Sequence, residues 1–362
     1  MKVVYAIIGT RPQLIKHAAL VSEHANQFKL ITIHTGQHYD WNMDQLFFGE
    51  FSLREPDYHL QVGSASPVSQ IAKMVLGIEK ICLENPPNLI LVYGDTNSAL
   101  EGALVAKKVD IPLAHIEAGM RSGNPEMPEE INRLLTDQMA NILFTSCTSA
   151  TDNLIRENIV GVVFETGDLM KDLTLKYLNQ KKLQKIIIDE PFYYATIHRP
   201  YNTDDKYRLI QIFAAMQNLD AMVIFSCHPR TLNRIKQFNI DHTSFSNIQF
   251  IEPQDYHMNL SYMHAAKAVI TDSGGMQKEA YWLKKKCITL RKETEWTETL
   301  RDGANTIIFD ELYRLTSFAR KPAAWNSDLY GDGKAAKNII EYITHYLQEY
   351  SQIFPSKSKI NS

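Results

Sequence analysis

The sequence has few of the residues from which metal sites and redox centres are built. Four cysteines occur in 362 residues, and neighbouring cysteines lie 60 or more positions apart. Such spacing fits neither a zinc site nor a dithiol redox motif, so we expect buried, reduced thiols. All lie in or beside apolar stretches that are typical of strands, at Cys82, Cys147, Cys227 and Cys287. No zinc-type histidine pair and no Asp-rich loop occurs, so no metal is predicted.

Strong net charge and long hydrophobic runs are also missing. The formal net charge is −3, with 22% charged and 44% hydrophobic residues, which is typical of a globular protein in water. This charge gives no electrostatic reason to expect a nucleic-acid partner. No run of 18 apolar residues occurs, and the N-terminus enters a strand pattern rather than a signal peptide. We therefore expect a cytoplasmic protein that binds neither nucleic acid nor membrane.

Two common phosphate-binding motifs are absent as well. The dinucleotide pattern Gly-x-Gly-x-x-Gly never occurs. The glycine pair in residues 272–279, DSGGMQKE, lacks the Gly-Lys-Ser/Thr ending of a P-loop, and Lys278 falls at another spacing. This pair still lies between a predicted strand and a predicted helix, where backbone N–H groups can bind phosphate. Taken alone, the stretch is explained equally well by a plain strand-to-helix turn.

Short β-branched runs alternate with amphipathic stretches along most of the chain. The pattern predicts buried parallel strands joined by helices. The predicted strands cover 3–8, 30–35, 88–94, 111–117, 141–146, 162–167, 192–198, 221–227, 248–252, 265–271, 286–290 and 305–309. Helical spacing is clearest in 66–85, 97–108 and 334–350.

The polar, Lys-rich stretch 179–191 separates two such series, so we predict an α/β protein with two doubly wound, Rossmann-like domains facing across a cleft. The predicted domains are 1–180 and 190–333, followed by a helix and tail, 334–362, that crosses back toward the first domain. Ligands of open α/β sheets bind beyond the carboxyl ends of the strands. Polar clusters at those ends are therefore candidate functional residues.

Cations and acids follow several predicted strands of the first half. In GTRPQLIK, Arg11 and Lys16 lie near a helix start, although an ordinary surface loop would look the same. Asp95 follows a buried strand and is either a site residue or the N-cap of the next helix. Glu117 ends another buried strand, where an unpaired carboxylate would be costly, and Glu129 opens the following helix. Crowded carboxylates raise one another's pKa, which suits acid–base catalysis near neutral pH.

The second half contributes a histidine and the glycine pair. In TIHRPYN, His198 and Arg199 lie at the end of the first predicted strand of this half and would project into the cleft from the opposite side. A lone histidine at a strand end is more often structural, but this one has a cation beside it and acids predicted to face it. Anion binding combined with carboxylates indicates proton transfer on a molecule that carries phosphate.

Nine motifs occur in an order and spacing that closely resemble the non-hydrolysing UDP-N-acetylglucosamine 2-epimerases. From residue 9 to residue 299 they read GTRPQLIK, HTGQHYD, VYGDTNS, HIEAGMRS, MPEEINR, GD, TIHRPYN, DSGGMQKEA and ETEWTET. Each motif alone is weak, whereas the ordered set is specific and spans nearly the whole chain. The resemblance implies the fold of the two-Rossmann-domain (GT-B type) glycosyltransferases.

The resemblance also implies roles for individual residues. The implied catalytic residues are Lys16, Asp95, Glu117, Glu129, Arg133 and His198. The implied substrate-binding residues are Arg11, Ser273, Gly274 and Gly275 for the diphosphate, Glu279 for the ribose, and Pro253 and Tyr256 near the uracil. Some members bind a second nucleotide sugar as activator, at positions that correspond to Gln37, His38, Gln70 and His228. A homodimer is usual in the family.

The implied reaction inverts C2 of the sugar by eliminating UDP and adding it back to an enzyme-held glycal, with no cofactor. Gln13 and Trp296 depart from the simple UDP-N-acetylglucosamine branch, and both are closer to the branch acting on UDP-2,3-diacetamido-2,3-dideoxy-glucuronate. Neutral variation explains the two departures equally well. A hydrolysing epimerase, a retaining glycosyltransferase and a non-catalytic sugar-nucleotide sensor are the alternatives. Either substrate would serve the synthesis of surface-polysaccharide precursors.

Overall fold

The computed structural model describes residues 1–37, 48–63 and 65–353, and the side chains of 350–353 lie outside this description. The chain forms two compact units. Unit 1 comprises Met1–Leu173 together with the segment that begins at Tyr330, and unit 2 comprises Thr174–Leu329. The compact units are bounded at residues other than the domain limits 1–180, 190–333 and 334–362, which stay a prediction.

Within its described residues, unit 1 is built on a seven-stranded parallel sheet. Its strands are β1 (Val3–Ile8), β2 (Lys29–His34), β3 (Tyr58–His59), β4 (Leu89–Tyr93), β5 (Leu113–Ala118), β6 (Ile142–Thr145) and β7 (Val162–Glu165). They lie in the order β3-β2-β1-β4-β5-β6-β7. The connecting helices are α1 (Arg11–Glu23), α2 (Pro67–Glu84), α3 (Asn97–Lys108), α4 (Pro128–Met139) and α5 (Thr148–Arg156). The next helix, α6 (Leu169–Asn179), begins in unit 1 and ends in unit 2.

The core of unit 1 forms where α2 and α3 pack against the central strands. Ile78 of α2 and Ala103 of α3 join Ile7 and Val92 in one fully buried apolar cluster. A Cβ atom at Gly102 would lie 2.9 Å from Cγ1 of Val92, so glycine is what lets α3 approach β4 this closely. This packing fixes the carboxyl ends of β1, β4 and β5, where the candidate site residues of unit 1 lie.

Unit 2, which the structure describes completely, holds a six-stranded parallel sheet. Its strands are β8 (Phe192–Thr196), β9 (Met222–Ser226), β10 (Ile248–Ile251), β11 (Ala268–Thr271), β12 (Lys286–Thr289) and β13 (Asn305–Ile307). They lie in the order β10-β9-β8-β11-β12-β13. Its α-helices are α7 (Pro200–Thr203), α8 (Lys206–Gln217), α9 (Pro229–Gln237), α10 (Tyr256–Ala265), α11 (Gly274–Trp282) and α12 (Leu315–Ala319). Short 3-10 helices cover His242–Ser244, Thr297–Gly303 and Leu312–Arg314.

The last helix of the chain, α13 (Ala335–Ile353), belongs to unit 1. Its Tyr342 ring stacks on Phe164 of β7, with the ring centroids 3.9 Å apart. At its start, Asp172 of α6 accepts a hydrogen bond of 2.7 Å from the backbone N–H of Ala336. Burial raises the pKa of Asp172 to about 6. The carboxylate at a helix N-terminus and the stacked ring together anchor this helix.

The predicted α/β class, with two parallel sheets and interleaved helices, is confirmed. Every predicted strand is present, most of them one to three residues shorter than predicted, and β3 was not predicted. The four thiols are free and buried, as expected. The placement of Cys82 at a strand was wrong, because it lies in α2 and packs on the sheet from there. No helix among the described residues is long and apolar enough to span a membrane.

Candidate active site

The turn between β1 and α1 is fastened to the end of β4 by one buried amide. Oε1 of Gln13 accepts from the backbone N–H of Gly9 at 2.8 Å, and Nε2 donates to the carbonyl oxygen of Tyr93 at 2.9 Å. A glutamate carboxylate here would have no N–H for the Tyr93 carbonyl. Gln13 thus holds the two strand ends together. Thr10, the N-cap of α1, makes no side-chain capping bond, and the half-buried Arg11 is the first residue of the helix.

Lys16 and Glu117 form a buried ion pair at these strand ends. Nζ of Lys16 contacts Oε2 of Glu117, and only 7% and 10% of the two side chains are exposed. Gly94, directly after β4, has a φ of +64°, and a Cβ there would lie 3.1 Å from Nζ and 3.2 Å from Oε2. A side chain at residue 94 would therefore meet both a strained backbone and the ion pair.

The backbone of Glu117 is itself strained. Its φ is +67°, a value that side-chain-bearing residues rarely adopt. The pairing of β5 with β6 shifts register between Ile116 and Ala118, which makes Glu117 the extra residue of a β-bulge. Such a conformation costs about 1–3 kcal/mol and concentrates at functional sites. The bulge turns the carboxylate of Glu117 toward Lys16.

Asp95 is paired with a cation as well. Nη2 of Arg133, on α4, lies 2.5 Å from Oδ2 of Asp95. Burial opposes ionisation of Asp95, but the charges of Arg133 and Lys16 and the hydrogen bond from Arg133 lower its pKa below the usual value. The expectation that crowded acids raise one another's pKa was therefore wrong for Asp95. The N-cap alternative is wrong too, because Thr96 is the N-cap of α3.

The start of α4 places two more acids beside Arg133. Nη1 of Arg133 donates to Glu130 at 2.8 Å, and the backbone N–H groups of Ser122 and Gly123 donate to the same carboxylate at 2.9–3.0 Å. Burial raises the pKa of Glu130, but these donors and the Arg133 charge together lower it. Glu130 thus fixes the 122–123 loop and Arg133. The predicted catalytic Glu129 is half-buried in the same turn.

In unit 2, Asp272 organises the loop that carries His198. Its carboxylate accepts from the backbone N–H groups of His198 and Arg199 at 2.9–3.1 Å and from Nδ2 of Asn202 at 3.0 Å. Nδ1 of His198 lies 3.1 Å from Oδ1 of Asp272. Burial alone would raise the pKa of Asp272, but His198, Asn202 and the Arg199 N–H lower it. The ring of His198 also stacks on the ring of His228, with the ring centroids 4.9 Å apart. Because Nδ1 is held by Asp272, Nε2 of His198 is the nitrogen that can reach a ligand.

The glycine pair opens α11 beside a close-packed loop. Ser273 is the N-cap and makes no side-chain capping bond, which leaves the first N–H groups of the helix for an anion. A Cβ at Gly274 would lie 3.0 Å from Oε1 of Glu295 and 3.4 Å from Nε1 of Trp296. Glycine fits residue 274 because Glu295 and Trp296 approach it closely, and not because its φ is unusual. Trp296 also packs on Lys278, whose ammonium lies 3.7 Å from the ring centroid.

Tyr256 and Glu279 form a buried pair within unit 2. Tyr256 is 1% exposed and Glu279 is 4% exposed. Burial, followed by the charge of Glu279 and a hydrogen bond to it, raises the pKa of Tyr256 well above its ordinary value. Because its hydroxyl is occupied by Glu279, Tyr256 orients this carboxylate. Pro253 is exposed in the loop between β10 and α10.

The residues predicted for a second nucleotide sugar fall in both units. Oε1 of Gln37 accepts from the hydroxyl of Ser98 at 2.7 Å, and Nε2 of Gln70 donates to the carbonyl oxygen of Gly63 at 2.7 Å, both in unit 1. His228 lies in unit 2, and His38 lies outside the described residues. The structure thus gives each described side chain a local partner.

Some organising residues were not predicted. Asp272 opens the DSGG motif, and a buried aspartate after a strand is a signal that could have identified it. His115 and Asp137, both fully buried in unit 1, bond to each other at 2.7 Å. His115 occupies the HIEAG motif, but its partner is 22 positions away and no spacing rule connects the two.

The chain is similar to known proteins along most of its length. A family model described as UDP-N-acetylglucosamine 2-epimerase matches residues 21–344. A UDP-N-acetylglucosamine 2-epimerase homolog of Methanococcus maripaludis is 41% identical, over 95% of this chain and 99% of that protein. A UDP-2,3-diacetamido-2,3-dideoxy-D-glucuronate 2-epimerase of Pseudomonas aeruginosa is 39% identical, over 94% of this chain and 99% of that protein.

A solved structure agrees with these sequence matches. It is that of the Methanocaldococcus jannaschii UDP-GlcNAc 2-epimerase in complex with UDP-GlcNAc and UDP. The two chains are 38% identical and superpose with a TM-score of 0.87, over 95% of this chain and 100% of that one. The family match, the curated relatives and the shared two-sheet fold agree with one another. The chain belongs to the UDP-N-acetylglucosamine 2-epimerase family of enzymes.

Proposed function

We propose that this enzyme inverts C2 of UDP-N-acetylglucosamine, or of a close 2-acetamido derivative, from the gluco to the manno configuration without hydrolysing the UDP bond. The observation that carries the proposal is the pairing of two acids with two cations at adjacent strand ends. Asp95 is paired with Arg133, and Glu117 with Lys16. A C2 inversion needs a proton removed from one face and a proton delivered to the other, and this arrangement supplies both groups.

The reaction is an elimination followed by its reverse. A base takes the C2 proton while the bond between C1 and the diphosphate oxygen breaks, and its electron pair leaves with UDP. The product of this step is a glycal with a C1–C2 double bond. UDP then adds back to C1 as a proton reaches C2 from the opposite face. Atoms and charge balance without an oxidant, so the chemistry calls for no redox cofactor.

The electrostatics favour Asp95 as the proton acceptor. Arg133 and Lys16 keep its pKa low, so it is an ionised carboxylate at neutral pH. The Lys16–Glu117 pair then supplies the proton to the other face. After one turnover Asp95 holds the substrate proton and the pair lacks one, and exchange with water restores both. Glu129, half-buried in the first turn of α4, stays a predicted catalytic residue.

Unit 2 supplies the groups suited to hold UDP. The first N–H groups of α11, after Ser273, suit the diphosphate, and the Nε2 edge of His198 stabilises it as it leaves. Arg11 adds a cation from the start of α1. Glu279, fixed by Tyr256, suits the ribose hydroxyls. Gly275 and Pro253 complete the proposed substrate-binding set.

Two sugar nucleotides compete as the substrate. Relatives named for UDP-N-acetylglucosamine and for the diacetamido-glucuronate derivative are 41% and 39% identical, which favours neither strongly. Gln13 argues for neither, because its amide bonds backbone groups within unit 1. The test is to measure kcat/KM for both sugar nucleotides, with Asp95→Asn as the inactive control. Free sugar and UDP as products would instead support the hydrolysing class, and turnover of neither substrate would overturn the proposal.

Regulation and assembly complete the proposal. A second UDP-sugar activates the enzyme through Gln37, His38, Gln70 and His228, and the enzyme is a cytoplasmic homodimer. Sigmoidal dependence of rate on UDP-sugar concentration, lost in Gln70→Ala, would support the activator, whereas a hyperbolic dependence would exclude it. Light scattering of the purified protein tests the dimer. Either product serves as a precursor of surface polysaccharide.

A further inference from the structure

A buried histidine–aspartate pair lies behind the two acids of unit 1. His115 and Asp137 are both 0% exposed, so neither side chain is placed to touch a ligand from solvent. Nδ1 of His115 lies 2.7 Å from Oδ1 of Asp137. Nε2 of the same ring lies 2.8 Å from the carbonyl oxygen of Gly94. One imidazole therefore connects the carboxylate of α4 to the residue that follows β4.

The second oxygen of Asp137 reaches the end of β5. Oδ2 accepts from the backbone N–H of Gly119 at 3.1 Å and lies 2.8 Å from Nη1 of Arg121. Arg121 in turn donates to both oxygens of Glu157, at 2.8 and 2.6 Å. The Asp137 carboxylate is thus surrounded by donors and by a guanidinium, which fix it in place.

These contacts fall next to the residues that carry the proposed chemistry. Gly94 immediately precedes Asp95, and Gly119 is two residues after Glu117. The Asp95 backbone has one further support, the hydrogen bond of 2.8 Å from Nδ2 of Asn132 to its carbonyl oxygen. We propose that His115, held by Asp137, is a positioning residue that sets the distance between the Asp95 and Glu117 carboxylates. This inference rests on the proposed C2 epimerisation.

The hydrogen-bond partners of His115 also predict where its ring carries a proton, and this can be measured directly. The Gly94 carbonyl can only accept, so Nε2 of His115 donates to it, while Nδ1 faces the Asp137 carboxylate. The ring is therefore held with a proton on Nε2. His17, another buried histidine of unit 1, faces the hydroxyls of Tyr93 and Thr32 at 2.9 and 3.1 Å. Hydroxyls can donate or accept, and burial lowers the pKa of His17 to about 4, so that ring is neutral.

Graded variants separate positioning from simple loss of stability. His115→Leu removes both hydrogen bonds and is expected to lower kcat about 100-fold, the cost expected of a displacement near 1 Å at reacting groups. His115→Gln keeps a donor for Gly94 and is expected to retain about tenfold more activity than His115→Leu. KM for the UDP-sugar should change less than threefold, because the proposed UDP-binding groups other than Arg11 lie in unit 2. His17→Gln removes an equally buried ring and is expected to keep kcat within about threefold of wild type.

Two results would overturn the inference. One is that kcat of folded His115→Leu, measured well below the Tm of this variant, falls no more than kcat of His17→Gln does. The other comes from nitrogen-15 NMR of the histidine-labelled wild-type protein at neutral pH. A proton on Nε2 of His115, identified by its loss in His115→Gln, is expected, and an unprotonated Nε2 would contradict the geometry. The NMR experiment needs no turnover, so a wild-type enzyme inactive on both sugars would refute the proposed function and still leave this test decisive.

Discussion

Lys16 and Glu117 are 101 residues apart in the sequence and form an ion pair that is almost completely buried in unit 1. Two structural features accompany it, the left-handed backbone of Glu117 and the glycine at residue 94, where a Cβ would meet the pair. Strain and charge burial both cost free energy. Their coincidence at one strand end marks this pair as part of the proposed chemistry.

Removing one member of the pair should cost both stability and activity. Lys16→Met leaves the Glu117 charge buried without its partner, so we expect the free energy of unfolding to fall by about 3–5 kcal/mol. The double variant Lys16→Met with Glu117→Gln removes both charges and should recover most of that loss. Turnover should stay at least about 1,000-fold below wild type in both proteins, because the proton donor is missing. Urea unfolding and steady-state turnover measure the two effects, and an active double variant would show that the pair is only structural.

Arg133 should determine the pH at which kcat/KM falls on the acid side of its pH profile. It lowers the pKa of Asp95 against the effect of burial, so Asp95 is ionised down to low pH in the wild type. In Arg133→Gln the pKa of Asp95 should rise, and the acid limb of kcat/KM should move to higher pH. Arg133→Lys keeps the charge and should leave the limb near its wild-type position. An unchanged limb in Arg133→Gln would remove Asp95 from the role of base.

Gly274→Ala tests the proposed diphosphate site. The new Cβ would lie 3.0 Å from Oε1 of Glu295, so this side chain or the start of α11 must move. Residue 274 has no left-handed φ, so the change in unfolding free energy should stay below about 1 kcal/mol. KM for the UDP-sugar should rise about tenfold as the N–H groups shift. Gly49→Ala, where a Cβ meets nothing within 4 Å, is the matched control. Equal KM values in the two variants would contradict a ligand at α11.

A buried glutamate outside the site should make stability depend on pH. Glu101 in α3 is 1% exposed, and burial raises its pKa to about 8 from an ordinary 4.5. Because the folded state favours the protonated form, stability is greatest below pH 4.5 and falls as pH rises toward 8. Glu101→Gln should therefore be more stable than wild type by about 3–5 kcal/mol at pH 9, and nearly equal to it at pH 4.

The control for this prediction is Glu84→Gln, at the exposed end of the neighbouring helix α2, with 57% of the Glu84 side chain exposed. It should change stability by less than about 0.5 kcal/mol at either pH. Urea unfolding of the three proteins across the pH range provides the comparison. A constant difference between Glu101→Gln and wild type would show that Glu101 ionises normally in the folded protein.

The sheets were predictable because buried parallel strands are apolar along their whole length. VVYAII and LILVY are examples, and both became central strands of unit 1. Tyr58–His59 was missed because two residues form no pattern. The same apolar pattern predicted where the strands end, and it therefore predicted the positions of Asp95 and Glu117.

The sequence pattern did not predict which residue each site residue pairs with. Asp95 pairs with a cation 38 residues away, and His115 with an aspartate 22 residues away, so chain topology decides both contacts. The sequence alone predicted several acids close together and could not show that Asp95 and Glu117 are each paired with a cation. For this reason the direction of the Asp95 pKa shift was predicted wrongly, while its place at a strand end was predicted correctly.

In the proposed reaction, C2 loses its proton and regains one on the opposite face while UDP is returned to C1. The most direct test is proton NMR of the wild-type enzyme in D2O with UDP-N-acetylglucosamine and, separately, with its 2,3-diacetamido-glucuronate analogue. We expect a manno product that is still attached to UDP and carries deuterium at C2, for at least one of the two sugar nucleotides. Inversion with the original C2 proton fully retained, or no exchange with either sugar, would contradict it.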